Sequence, residues 1–97
     1  MSNITEKKLN DGAKILTDEV IGLLDKNKID YHSITWKTSE HHYILTVRSI
    51  YGTRFCRFGP ISLLEKDPMT QNVNDFLINQ LIQKLITLKN KKNETHD

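Results

Sequence analysis

Residues 29–58 read IDYHSITWKTSEHHYILTVRSIYGTRFCRF, and the alternation of residue types along this stretch decides the fold. Tyr51-Gly52 between two alternating runs is a two-residue turn signal, because glycine takes the positive φ that such corners demand. A turn there sets Ile50 against Thr53, Arg48 against Phe55 and Thr46 against Arg57 on one face. On the other face it sets Val47 against Cys56, Leu45 against Phe58 and Tyr43 against Pro60. Upstream, Thr38-Ser39-Glu40-His41 reads as a four-residue loop that pairs Lys37 with His42, Trp36 with Tyr43, Ile34 with Leu45 and His32 with Val47. The two hairpins choose the same inner face independently. Ile34, Trp36, Tyr43, Leu45, Val47, Cys56 and Phe58 point to a core, while Tyr31, Ser33, Thr35, Lys37, His42, Ile44, Thr46, Arg48, Phe55 and Arg57 point away from it. A slip of one residue would invert either pair of strands, so this agreement sets the strand phase.

Outside the strands the spacing turns helical. From about Leu9 to Leu24 the apolar residues Leu9, Ala13, Leu16, Val20, Leu23 and Leu24 recur at three and four, with Asp18 and Glu19 off the stripe. Thr5 or Asn10 offers a cap, and Asp25-Lys26-Asn27-Lys28 is a polar exit. After Gly59-Pro60, the stretch Ile61 to Pro68 has Ile61, Leu63 and Leu64 in a pattern that fits either a short strand or a packed loop. Thr70 or Asn72 opens a second helix reaching roughly Lys89, whose Leu77, Ile78, Leu81, Ile82, Leu85, Ile86 and Leu88 cover about half its circumference. The last residues, 90–97, have no apolar side chain and read as a frayed tail.

The chain has 97 residues, which suits one domain with one core, ordered over about residues 9–89. No repeat and no Pro-, Gly- or Ser-rich linker divides it. The fold class expected is α+β: an α-β-β-β-α order in which a three-stranded antiparallel meander carries both helices on one face. The first residues lack the apolar run of a signal peptide and no segment is long enough to span a bilayer, so a cytoplasmic protein with no membrane partner is expected. Cys56 is the only cysteine, and its inner-face position makes it a packing thiol.

Net charge is only +2, yet its distribution is uneven. Residues 26–60 carry Lys26, Lys28, Lys37, Arg48, Arg54 and Arg57 against Asp30 and Glu40, while the first helix holds Asp11, Asp18, Glu19 and Asp25. Lysine outnumbers arginine eleven to three, and all three arginines fall within residues 48–57. The planar guanidinium grips phosphate with two hydrogen bonds or stacks on a base. Arg48 between Tyr31 and Phe55 would make an aromatic-cation-aromatic row, the kind of surface on which sheet modules hold unstacked bases. Long side chains also cover sheets without any ligand. Phe55, an apolar ring on a polar face, tips the reading toward a partner. The expected function is nucleic-acid binding, single- or double-stranded, by Tyr31, Ser33, Thr35, Lys37, His42, Thr46, Arg48, Arg54, Phe55 and Arg57. The second class is a homodimer or protein-interaction module, an adaptor or inhibitor, packing through Ile78, Ile82, Leu85 and Ile86 of the last helix.

The order of elements resembles the double-stranded RNA-binding domain over roughly Leu9 to Lys89, a likeness of layout. That family's contacts come from lysines at the start of its last helix and from a Gly-Pro-His type loop between its first two strands. The matching positions here are Met69-Thr70-Gln71-Asn72-Val73-Asn74-Asp75, without a lysine, and Thr38-Ser39-Glu40-His41-His42, which keeps the histidines alone. The layout therefore implies the fold, and the motifs do not carry a duplex-RNA role.

Sharper chemistry fails on spacing. His41 and His42 point to opposite sides, and His32 and Cys56 belong to the two outer strands with Val47 between them, so neither a metal site nor a Cys-His nucleophile assembles. His32 reads as a partly buried edge residue. The glycines lack phosphate-loop spacing. No carboxylate pair shares a cleft. No enzyme activity and no cofactor are expected.

Overall fold

The computed structural model describes residues 2–64 and 68–94, with side chains for 9–60, 62–63 and 68–91. The elements are α1 (Ser2–Lys26), β1 (Tyr31–Ser39), β2 (His42–Ser49), β3 (Gly52–Phe58), α2 (Pro60–Leu64) and α3 (Pro68–Glu94). The strands form one antiparallel sheet in the order β1-β2-β3. Both long helices lie on one of its faces, giving the expected α-β-β-β-α layout with a one-turn helix inserted.

Leu16, Val20 and Leu24 recur every fourth residue on α1 and are buried against Leu45, Val47, Phe58, Ile78, Leu81, Ile82 and Leu85. The Trp36 ring tilts onto Phe58 at 5.7 Å between centroids. Its indole N–H donates to the Thr17 hydroxyl at 2.8 Å, which in turn donates to the Ala13 carbonyl at 2.7 Å. A tryptophan facing a helix is thus satisfied without water. α1 ends in a Schellman turn: Lys28 N–H reaches Asp25 O at 3.1 Å and Ile29 N–H reaches Leu24 O at 2.9 Å. Lys28 holds the left-handed position, φ 56°, that glycine usually fills. The Lys89 ammonium of α3 donates to Asn27 O at 3.3 Å and Lys28 O at 2.9 Å, covering the freed carbonyls at that helix end. Glu19 faces Asp75 and Lys89 meets the end of α1, so the two long helices run in the same direction.

Both hairpin registers differ from the expected ones by two residues. Ser49 pairs with Gly52 around Ile50-Tyr51, and Ser39 pairs with His42 around Glu40-His41. The second turn is drawn back by the Ser49 hydroxyl, which donates to Gly52 O at 2.6 Å and accepts from the N–H groups of Tyr51 and Gly52 at 3.1 Å each. Gly52 keeps its special conformation, φ 147°, but as the first residue of β3. A two-residue slip changes every partner and no face, so the inner set from Ile34 to Phe58 stays inner.

One face assignment does change. The ladder shifts between Tyr31 and Ser33, an extra residue that turns Tyr31 toward the core opposite Ser49 and leaves His32 exposed. Other differences lie at the ends of elements. α1 starts at Ser2 rather than near Leu9, and Pro60 and Pro68 each begin a helix, where a missing N–H costs nothing. Pro60–Leu64 is therefore helical, neither strand nor loop, and residues 65–67 lie outside the described residues. Lys91 to Glu94 continue α3 instead of fraying, and Thr95 to Asp97 lie outside the described residues.

Candidate nucleic-acid interface

The face of the sheet opposite the helices is built in three cross-strand rows. The first is Ser33–Arg48–Thr53, the second Thr35–Thr46–Phe55 and the third Lys37–Ile44–Arg57. Alternate rows on one face of a strand lie about 7 Å apart, so Arg48 at one end and the Lys37/Arg57 pair at the other are separated by roughly 14 Å, with the hydroxyl and aromatic row between them. His42 extends the same face past the third row. Among the described residues no acidic side chain lies on it. Lys37, Arg48 and Arg57 are exposed and form no ion pair or side-chain hydrogen bond among the described residues. Phe55 is 50% exposed, and the Arg57 guanidinium carbon stands 5.8 Å from its ring centroid. That distance is within cation-π range and pre-orders both groups at low entropic cost.

Of the ten residues expected here, eight share this face. Tyr31 does not, because the bulge turns it inward, and Arg48 has Ser33 and Thr53 as neighbours in place of two rings. Arg54 lies on the helix-bearing face opposite Val47, where its guanidinium donates to the Thr53 carbonyl at 2.8 Å. Alternation with Cys56 and Phe58 puts it there.

One residue joins the site that local patterning could not supply. α3 runs along the free edge of β3, and the cleft of about 240 Å³ between them is lined by Phe55, Arg57, Leu77, Gln80 and Lys84. Lys84 thus brings a fourth cation to the edge where Phe55 and Arg57 stand. Cys56 sits at the floor of this cleft, and burial pushes its thiol up to about 12, with Lys84 pulling weakly the other way. It is an inert packing group there.

The helix surface proposed for association is occupied within the chain. Ile78, Ile82 and Leu85 are buried in the core and Ile86 packs against it, since a helix covering both α1 and β3 must bury a wide band. The exposed apolar side chains of α3 are instead Met69, Val73 and Phe76.

A second cleft, about 140 Å³, lies where α1, α2 and α3 meet, lined by Gly12, Ile15, Glu19, Ser62, Gln71 and Asn74. Asn74 is buried and donates its amide N–H to Ser62 O at 2.9 Å, while among the described residues its Oδ1 has no hydrogen-bond partner. Burial, and secondarily the Asp75 carboxylate, raise the Glu19 carboxyl above its ordinary value. Among the described residues no helix is long and apolar enough to cross a membrane. No protein-family model, curated protein or solved structure matches this chain.

Proposed function

We infer that the open face of the sheet binds nucleic acid through an unpaired stretch. The observation that carries this reading is a row containing the half-exposed Phe55 bracketed by Arg48 on one side and Lys37 with Arg57 on the other, on a face without a carboxylate. A ring exposed on an open sheet face is reached by a base that has left its stack, and cations on either side suit the phosphates before and after it. Ser33, Thr35, Thr46 and His42 supply hydrogen-bonding groups around that position, and Lys84 extends the positive edge.

The test is titration of labelled single-stranded and duplex oligonucleotides across a range of salt. Affinity for the single strand should fall linearly with the logarithm of salt, and Arg48→Ala and Arg57→Ala should each lower the slope by about 0.7. Phe55→Ala should weaken binding by about 1–3 kcal/mol with the slope unchanged. Arg54→Ala removes the same charge from the other face and should matter least. No binding of either oligonucleotide at low salt, or an equal loss in Arg54→Ala and Arg57→Ala, would remove the reading.

A further inference from the structure

We propose that the outer surface of α3 docks a second copy of this chain, antiparallel, through Met69, Val73 and Phe76. These side chains are 76%, 49% and 60% exposed, the largest group of exposed apolar residues on one element. They stand on the side of α3 turned away from the buried Ile78, Leu81, Ile82 and Leu85, so no other part of the described chain covers them. Spacing sets them apart from a chance patch. Met69, Val73, Phe76, Gln80, Gln83 and Thr87 follow steps of four and three residues along one line, the repeat by which one helix lies along another. All six are exposed and none is charged; Asp75 and Lys89 occupy other sides of the same helix, while Lys84 and Lys91 lie beside this line only beyond Gln80.

Charge sets the direction of the pair. In a parallel pair Lys84 and Lys91 would lie beside their own copies. With a twofold axis passing between Val73 and Phe76, each of these two meets the other across the axis and Met69 covers the partner copy's Gln80. The overlap then spans residues 69–80, and the lysines from Lys84 onward lie beyond it. Such a contact is isologous, with the same patch on both sides, as closed dimers require. The three exposed side chains amount to roughly 350 Å² of apolar surface per copy, so two patches with their polar rims come to about 1,000 Å², the lower bound for a specific and reversible interface.

Sedimentation of the full chain should show the weight-average mass rising from one chain toward two between about 5 and about 500 µM, as a weak interface of this size implies. Phe76→Lys, at an exposed position, should keep the far-UV circular dichroism of the parent and remain a single chain throughout. Mixing Val73→Cys with Phe76→Cys under mild oxidation should cross-link the two variants to each other several-fold faster than either to itself, Cys56 being buried. A single chain at every concentration overturns the second copy and leaves the patch to a different protein. Undiminished association of Phe76→Lys overturns the surface, and faster like-with-like cross-linking overturns the antiparallel arrangement.

Discussion

Replacing Gly12 by alanine should destabilise the protein, while the same replacement at Gly22, ten residues along the same helix, should stabilise it. Both sites are interior to α1, so each gains the helix preference of alanine over glycine, about 0.8–1 kcal/mol. At Gly22 a methyl group meets nothing within 4 Å, and the gain stands undiminished. At Gly12 the methyl would overlap the Leu63 carbonyl oxygen and lie 2.8 Å from Leu63 C and 2.9 Å from its Cα. Those atoms are backbone, so no rotamer relieves the overlap and α2 must move off α1. Overpacking of this kind costs about 1–3 kcal/mol or more. Moving α2 also stretches the bond from Asn74 to Ser62 O, worth about 1 kcal/mol, in a residue whose Oδ1 already lacks a partner among the described residues. Gly12→Ala should therefore lose about 1–3 kcal/mol net, and the two alanine variants should differ by about 2–4 kcal/mol. Urea unfolding followed by Trp36 fluorescence and by circular dichroism measures both. Equal stability of the two variants would refute the close approach of α1 to α2.

Three further outcomes follow from individual contacts. Lys28→Gly should stabilise by about 0.5–1 kcal/mol, seen as a higher thermal midpoint, because the left-handed backbone is relieved while the Lys28 carbonyl still accepts from Lys89; a lower midpoint would contradict it. Cys56 should resist a disulfide reagent at pH 8 in the folded protein and react only as the chain unfolds, because its thiol is pushed up to about 12 by burial; rapid labelling of the native state would show the site to be open. For Glu19 the folded carboxyl titrates above the unfolded value of 4.5, so its protonated form favours folding at low pH and that contribution is lost as pH rises through the raised value. Glu19→Gln should consequently raise the thermal midpoint at pH 7 and make little difference below about pH 4, and a gain independent of pH would count against the burial argument.

Strand phase was legible from residue order, and with it eight of the ten face residues, because side-chain direction has a period of two and survives a register error of two. Arg54 illustrates the limit of reading charge without phase: its place in the run of arginines suggested the site, and alternation with Cys56 assigned it to the other face. Tyr31 could not be placed from the chain alone, since the extra residue at His32 is a property of how β1 meets β2. The turn at Ser49 likewise depends on one hydroxyl closing a ring of three hydrogen bonds, which outweighs the preference of Tyr51-Gly52 for the corner.

The amino-acid order by itself determined the number and sequence of main elements, the inner and outer faces of the sheet and the placing of Arg48 and Arg57 on the outer one. Tertiary structure alone decided the pairing register, the inward turn of Tyr31, the arrival of Lys84 beside Phe55 and which side of α3 remains uncovered. Periodicity is a local property, repeated many times along the chain and hence robust. Contacts between distant segments depend on single side chains and on helix rotation, and no local pattern records these.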